Sequence, residues 1–75
     1  MMKFFDKTAP TLKEAQEFVG GYVEPVYLQN GDLMLVNEEG RLRGLDLNQD
    51  ASNIAGQIIV GPAIVIANEA RGENW

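Results

Sequence analysis

The sequence predicts an α+β fold: one N-terminal helix packs on a small, mainly antiparallel meander sheet, with a short helical turn before the last strand. Two observations support this class. A single run with helical periodicity, residues 12–19, is followed directly by two glycines. The remainder holds short stretches rich in β-branched, aromatic or aliphatic residues, separated by turn sequences, at 22–28, 33–36 and 58–67.

The helix is predicted to begin after Thr11 and to end at Gly20. Thr11 and Glu14 have the spacing of a capping box, in which each side chain accepts a backbone N–H from the other residue. The apolar residues that follow fall on one helical face: Leu12, Ala15, Phe18 and Val19. Gly20 and Gly21 end the helix because glycine readily takes the left-handed conformation of a C-cap.

The next segment is predicted to form a hairpin. Residues Tyr22–Leu28 favour a strand, and Pro25 makes it an edge strand or a bulged one because proline cannot donate to a ladder. Asn30–Gly31 is the strongest turn sequence in the chain. Leu33–Val36 is the returning strand.

The second half is predicted to complete the meander and to add one helical turn. A turn at Glu38–Gly40 leads into a short third strand at Arg41–Arg43. A helical turn near residue 52 is expected to be capped by Asp50 or Ser52 and ended by Gly56. The last strand or strands then occupy 58–60 and 63–67, with Gly61–Pro62 as a bulge or a tight turn.

These elements predict one domain at residues 11–67, after a lead-in or short edge strand at 1–10 and before a flexible tail at 68–75. The predicted core contains the apolar residues of the inner helix face and of the strands. They are Leu12, Ala15, Phe18, Val19, Val26, Leu28, Leu35, Leu42, Ile54, Ile59, Val60, Ile64 and Ile66.

Composition narrows the classes of function. The 75 residues carry a net charge of -5 and include no cysteine and no histidine. Such a chain lacks the basic footprint that nucleic acids and anionic membranes require, and it lacks the commonest general base and metal ligand. No apolar stretch reaches membrane-spanning length and the N-terminus does not resemble a signal peptide, so we expect a cytoplasmic protein. Homo-oligomerisation is one way for so small a core to gain buried area.

The residues around the helix end carry a family resemblance. Leu12, Gln16 and the run Val19–Glu24 (Val-Gly-Gly-Tyr-Val-Glu) resemble the opening motif of domain-of-unknown-function family 3846, small proteins encoded largely by phages, plasmids and bacteria. Similar short stretches follow at 30–31, 37–40, 48–51 and 59–61, so the resemblance covers residues 11 to 66. Pro62 departs from the pattern, which has an acidic residue there. The resemblance implies a phage or mobile-element setting, and a host-cell cytoplasm, but no defined activity.

Five polar residues are candidates for ligand or partner binding: Gln16, Tyr22, Glu24, Asn37 and Asn48. Alternation along the strand places Glu24 on the same face as Val26, so it is either a functional carboxylate or one that pairs with Arg41 or Arg43. If Val23 and Tyr27 face the core instead, Glu24 is a solvated edge residue. Asparagines at strand and loop boundaries usually bond their own backbone, and ligand recognition is the alternative.

No metal, cofactor or catalytic set is predicted. Asp46, Asn48 and Asp50 alternate as calcium ligands do, but the glycine at the sixth position and the distal glutamate are missing, which favours a loop with a helix cap. Ser52 is not expected to act as a nucleophile, because no histidine or lysine lies at the spacing of a known catalytic motif. The glycines do not form a phosphate loop, because Gly20–Gly21 closes a helix.

Three functions remain open at the level of sequence. We expect an accessory protein of a phage or mobile element that acts as a binding module for a host or phage protein, or that sequesters a small molecule. The alternatives are a small enzyme that uses Glu24 with Tyr22 or Tyr27, and a virion or accessory structural subunit. We predict that the chain is not an enzyme.

Overall fold

The structure is a computed structural model that describes residues 1–75. It contains strands β1 (Met2–Phe5), β2 (Val23–Tyr27), β3 (Leu33–Asn37) and β4 (Ala63–Ile66). The helices are α1 (Leu12–Val19) and α2 (Gln49–Ala55), and a short 3₁₀ helix follows β4 at Asn68–Ala70. The α+β class is therefore confirmed, with two helices on an open sheet.

The sheet is mixed. Its strand order is β1-β4-β3-β2; β1 pairs with β4 in parallel, whereas β4 with β3 and β3 with β2 are antiparallel. The two edge strands are β1 and β2, which agrees with an edge position for Pro25. The expected hairpin at Asn30–Gly31 is confirmed, since β2 and β3 are joined by this turn and Gly31 has a φ of 93°.

The predicted third meander strand at Arg41–Arg43 is wrong. Residues 38–44 form consecutive turns, in which the N–H of Arg43 donates to Glu39 O and that of Leu45 to Gly40 O. The place beside β3 is taken by β4, whose fully buried residues supply the apolar surface that an Arg-Leu-Arg segment lacks. The free energy gained by burying the apolar residues of β4 thus outweighs the advantage of the shorter loop that a meander strand at 41–43 needs.

The sheet is covered on both faces. On one face, the α1 face, α1 packs on Leu33, Leu35, Ile64 and Ile66. On the other, the α2 face, Ala51 of α2 packs with Met34, Val36, Ala63 and Val65. Each central strand therefore buries alternate residues on opposite faces, and all of β3 and β4 is buried. This explains why their sequences are continuously apolar.

The helix ends match the prediction at α1 and depart from it at α2. In α1, both capping-box hydrogen bonds of Thr11 and Glu14 are present, and Gly20 is the left-handed C-cap. In α2, Gly56 ends the helix as predicted, but the N-cap is Asn48 and not Asp50 or Ser52. The helix starts earlier because the Asn48 side chain accepts the Ala51 N–H, so α2 has seven residues, about two turns.

Three residues of the predicted core are exposed: Leu12, Ile54 and Leu42, with Leu42 at 89%. Leu12 is the first residue of α1 and Ile54 lies on the outer side of α2, so neither contacts the sheet. Leu42 projects from the 38–44 turns. Phe18, Val26, Leu28 and Val60 are half-buried, and the remaining six predicted core residues are buried.

The C-terminal segment folds back on its own chain. The sequence assigned residues 68–75 to a flexible tail, but here they include the 3₁₀ helix, and Trp75 packs against the core of the α1 face. The Trp75 indole N–H donates to Pro10 O at 2.9 Å, and Arg71 Nε donates to Trp75 O at 3.0 Å. No helix in the structure has the length and apolar character needed to cross a membrane.

Candidate functional site

Asn37, one of the predicted site residues, joins the end of β3 to the end of α1. It is 5% exposed; its Nδ2 donates to Val19 O at 3.0 Å and its Oδ1 accepts the Glu39 N–H at 2.7 Å. Arg43 closes the same junction from outside, with Nη1 donating to Gly20 O at 2.7 Å. The side chain of Asn37 therefore serves a structural connection.

The two glycines of the Val-Gly-Gly-Tyr motif are required by this junction. Gly20 has a φ of 83°, which disfavours any other residue. A Cβ on Gly21 would lie 3.1 Å from Asn37 Nδ2 and 3.4 Å from Arg43 Nη1. These contacts give the motif a structural reason: the chain leaves α1 between two side chains that arrive from distant sequence.

Asn48 performs a similar role on the α2 face. It is 7% exposed; its Nδ2 donates to Gly61 O at 2.8 Å and to Met1 O at 3.1 Å, while its Oδ1 caps α2 at the Ala51 N–H. Ser52 adds to this connection, because its Oγ accepts the Ile59 N–H at 2.8 Å and donates to Asn48 O at 2.7 Å. The N–H groups of the Asn48 amide are thus engaged within the chain, and its oxygen caps α2.

The remaining predicted site residues lie apart from one another. Gln16 is half-buried on α1, and Tyr22 is 71% exposed just before β2. Glu24 lies opposite Val36 and hence on the α2 face, whereas Tyr27 lies opposite Leu33 on the α1 face, below the Arg71 guanidinium at 5.7 Å. The structure therefore does not bring Glu24 and Tyr27 together.

The carboxylate of Glu24 is exposed and makes no hydrogen bond within the chain. The sequence offered Arg41 and Arg43 as partners across the third strand, but both arginines donate to backbone carbonyls, Arg41 to Ile58 O and Arg43 to Gly20 O. These pairings do not form because residues 41–43 are turns, and not the neighbouring strand that the sequence predicts. Glu24 is left at the surface, between the sheet and these turns.

A groove of about 300 Å³ lies beside Glu24 on the α2 face. Val36 and Ile59, both buried, form part of its floor together with the half-buried Val26. The walls come from the turn segment and from residues 57–60. Two apolar side chains on these walls are exposed, Leu42 at 89% and Ile58 at 62%.

The groove exists because α2 does not extend over β2. The N-terminal end of α2 is fixed near Met1 and Gly61 by Asn48, and its C-terminal end, residues 53–56, lies near the β2–β3 turn across a second opening of about 490 Å³. The chain then returns through residues 57–60 toward Gly40, where Val60 packs closely. Between this return and β2 the sheet face stays open.

The groove carries two carboxylates and one guanidinium. Its polar lining residues are Glu24, Asn37, Glu38, Arg41 and Gln57, and neither carboxylate makes a hydrogen bond within the chain. All three lysines lie elsewhere, at positions 3, 7 and 13. No group of three or more Asp, Glu, His or Cys side chains is placed to hold a metal ion. The arrangement therefore combines exposed apolar side chains with unpaired negative charge.

The outer edge of β2 is partly blocked. Glu38 N–H donates to Tyr22 O and Leu28 N–H donates to Asp32 O, so the antiparallel pattern directs the backbone N–H and C=O groups of the even-numbered residues of β2 toward β3. The backbone groups of Val23, Pro25 and Tyr27 then point away from the sheet at this edge, and Pro25 has no N–H. Addition of another strand at this edge loses a hydrogen bond at Pro25.

Fold and surface together define a small α+β domain whose buried asparagines serve structural connections and whose surface includes a groove lined by apolar side chains and two carboxylates. The chain matches the family described as Domain of unknown function (DUF3846) over residues 2–75, and it belongs to that family. Neither a search of curated proteins nor a search of solved structures found a match.

The groove was only partly foreseen from the sequence. Glu24 was a candidate, but Leu42 was assigned to the core and Ile58 to a strand. The role of Arg43 at the end of α1 was missed as well, since its partner Gly20 is 23 residues away. One local signal was available: the glycines at 40 and 44 flank Arg41–Arg43 and favour turns over a strand.

Proposed function

We propose that this chain is a binding module that engages a protein partner through the groove beside Glu24. The observation that carries the proposal is the exposure of Leu42 and Ile58, which line the same open groove. A single exposed apolar residue is ordinary, whereas apolar side chains that share one exposed surface mark a candidate interaction site. In such sites a few residues carry most of the binding energy.

The biological setting of the proposal is an accessory protein of a phage or mobile element that acts in the host cytoplasm. Its support is the resemblance of the run Val19–Glu24 described above, which implies a phage or mobile-element setting. The partner is then a host or phage protein. An enzyme that pairs Glu24 with Tyr27 is disfavoured, because these two residues lie on opposite faces of the sheet. A pairing of Glu24 with Tyr22 stays the alternative to a binding role.

The proposal is tested by co-purification from host cells with a double variant, Leu42→Ser with Ile58→Ser. Leu12→Ser is the matched control, because Leu12 is also exposed, at 53%, but belongs to α1 on the opposite side of the sheet. We expect the wild type and the control to retain the same partner and the double variant to lose it. Circular dichroism checks that all three proteins are equally folded.

Two results contradict the proposal. Retention of the partner by the double variant places the contact elsewhere on the chain. Assembly of the pure wild-type protein into rings or filaments that the double variant also forms supports a structural subunit instead. Native mass spectrometry of the purified protein separates these cases, because it reports a retained partner and the number of copies together.

A further inference from the structure

We propose that the segment of the partner that occupies the groove is basic as well as apolar, with lysine or arginine side chains directed at Glu24 and Glu38. This inference rests on the proposed function and specifies the chemistry of its partner.

The groove carries two carboxylates that no group of the chain binds. Glu24 and Glu38 both line the groove, and neither accepts a hydrogen bond from any group of the chain. Each can therefore accept a charge-assisted hydrogen bond from a partner without breaking an existing contact. The apolar floor below them lowers the local dielectric once a partner excludes water, which strengthens such a bond.

The groove contains one cationic side chain of this chain. Arg41 also lines the groove, but its Nη2 is directed at Ile58 O, at 3.4 Å, on the opposite wall. This contact connects the turn segment with residues 57–60, and Arg41 makes no hydrogen bond with either carboxylate. All three lysines belong to the first 13 residues, in or near β1 and α1.

The whole chain is negatively charged. At -5, two copies of this chain repel each other over distances up to about a Debye length, ~8 Å at physiological ionic strength. A basic partner is attracted instead, and complementary charge raises the rate of association. Charge thus favours a basic foreign segment over a second copy as the occupant.

The occupant is expected to lie on the face of β2 and not to extend its edge. Pro25 faces outward on this edge and removes one of the donors that strand addition needs. The face offers Val26 and Val36 for apolar contact, with Leu42 and Ile58 on the walls. A short segment that alternates apolar and basic side chains satisfies both the floor and the carboxylates.

The test uses two synthetic six-residue peptides with blocked ends, one alternating leucine and lysine and one alternating leucine and glutamate. Amide chemical shifts of the full chain are recorded during titration with each peptide. We expect the lysine peptide to shift amides at 24–26, 38–42 and 57–60, with binding that weakens as salt is raised. The glutamate peptide is expected to leave these amides unchanged.

A charge-neutral double variant, Glu24→Gln with Glu38→Gln, makes the test specific. It is expected to weaken binding of the lysine peptide about three- to tenfold, as the loss of two surface charge contacts predicts. The matched control is Glu17→Gln with Glu73→Gln, which removes two carboxylates that do not line the groove. The control is expected to bind as the wild type does.

Several outcomes overturn the inference, and they are separable from failure of the proposed function. Equal binding of both peptides, shifts away from the groove, or shifts that depend on protein concentration alone each exclude a basic occupant. If the natural partner is lost by Leu42→Ser with Ile58→Ser but retained by Glu24→Gln with Glu38→Gln, the proposed function stands and this inference fails. If the first double variant retains the partner, the proposed function fails.

Discussion

The α1 face and the α2 face of the sheet share β3 and β4 but are closed by different means. On the α1 face, α1 has a capping box at one end and a left-handed glycine at the other, and Phe5, Val23 and Trp75 complete the cover. On the α2 face, α2 has seven residues and stops short of β2. The irregular segment 38–48 fills part of the remaining space and leaves the groove.

This difference shows how one sheet can separate stability from recognition. The α1 face is secured by α1 and by Asn37 and Arg43, which bind the backbone where α1 ends. The α2 face is held mainly at one point, Asn48, which connects α2 with Gly61 and Met1. We infer that the α1 face contributes the larger share of stability and that the α2 face is free to carry a binding surface.

The comparison is tested most strongly by truncating two adjacent buried residues of β3 that point to opposite faces. Leu35 and Met34 are both at most 1% exposed. We expect Leu35→Ala to cost about 3–4 kcal/mol and Met34→Ala about 2–3 kcal/mol, because the less completely covered face relaxes more easily around a cavity. Urea unfolding measures both values.

Leu42→Ala serves as the control for these two variants, since its side chain is 89% exposed and its removal should change stability by less than about 0.5 kcal/mol. Equal costs for Leu35→Ala and Met34→Ala would show that both faces are equally rigid, and the comparison would then be wrong.

A second prediction concerns the single point that holds the α2 face. Asn48→Asp keeps the oxygen that caps α2 but replaces the amide that donates to Gly61 O and Met1 O. We expect a loss of about 2 kcal/mol, because two buried carbonyls lose their donor and face a carboxylate. Hydrogen exchange should show faster opening of α2 amides while those of α1 stay protected.

Asn53→Asp is the matched control for this substitution, because Asn53 is exposed on α2 and uses its oxygen to accept from Gln49. It should leave the stability nearly unchanged. Loss of protection in both helices of Asn48→Asp would mean that the two faces unfold together and that Asn48 is not confined to one of them.

The same contrast explains which parts could be predicted from the sequence. Thr11, Glu14 and Gly20 act within ten residues, so the ends of α1 follow from local spacing, and the Asn30–Gly31 turn fixes the β2–β3 hairpin in the same way. The parallel pairing of β1 with β4 joins Met2 to Ala63, and no local pattern encodes it. Since β4 also takes the place beside β3 that was expected for residues 41–43, the sheet order could not be deduced.

The candidate site was difficult to predict for a related physical reason. Asn37 and Asn48 were recognised as boundary residues, but their partners Val19 and Gly61 are distant in sequence, and only the fold shows that their amides donate to these backbone carbonyls. Leu42 looks like a core residue because an apolar side chain between two arginines resembles a strand. Its exposure follows from turns whose hydrogen bonds depend on Gly40 and Glu39.

The smallest predicted effect distinguishes the two helices by pH. The Thr11 backbone N–H, with a contribution from the Thr11 side chain, holds the pKa of Glu14 below its ordinary value. A carboxylate whose pKa is lowered on folding contributes stability that is fully present above its unfolded pKa and is lost as the pH falls through the folded value. In wild type, the first turn of α1 should therefore exchange its amides faster below about pH 4.

Glu14→Gln isolates this contribution, because glutamine still accepts the Thr11 N–H but does not titrate. We expect the variant to be slightly less stable than wild type at pH 7 and to lose less stability on acidification, so that the two curves converge in acid. Glu17→Gln, on the same helix but outside the capping box, controls for the change in net charge. A variant curve that runs parallel to that of wild type would show that the capping box does not set the acid response of α1, and the α1 face would then owe its stability to packing and to the contacts of Asn37 and Arg43.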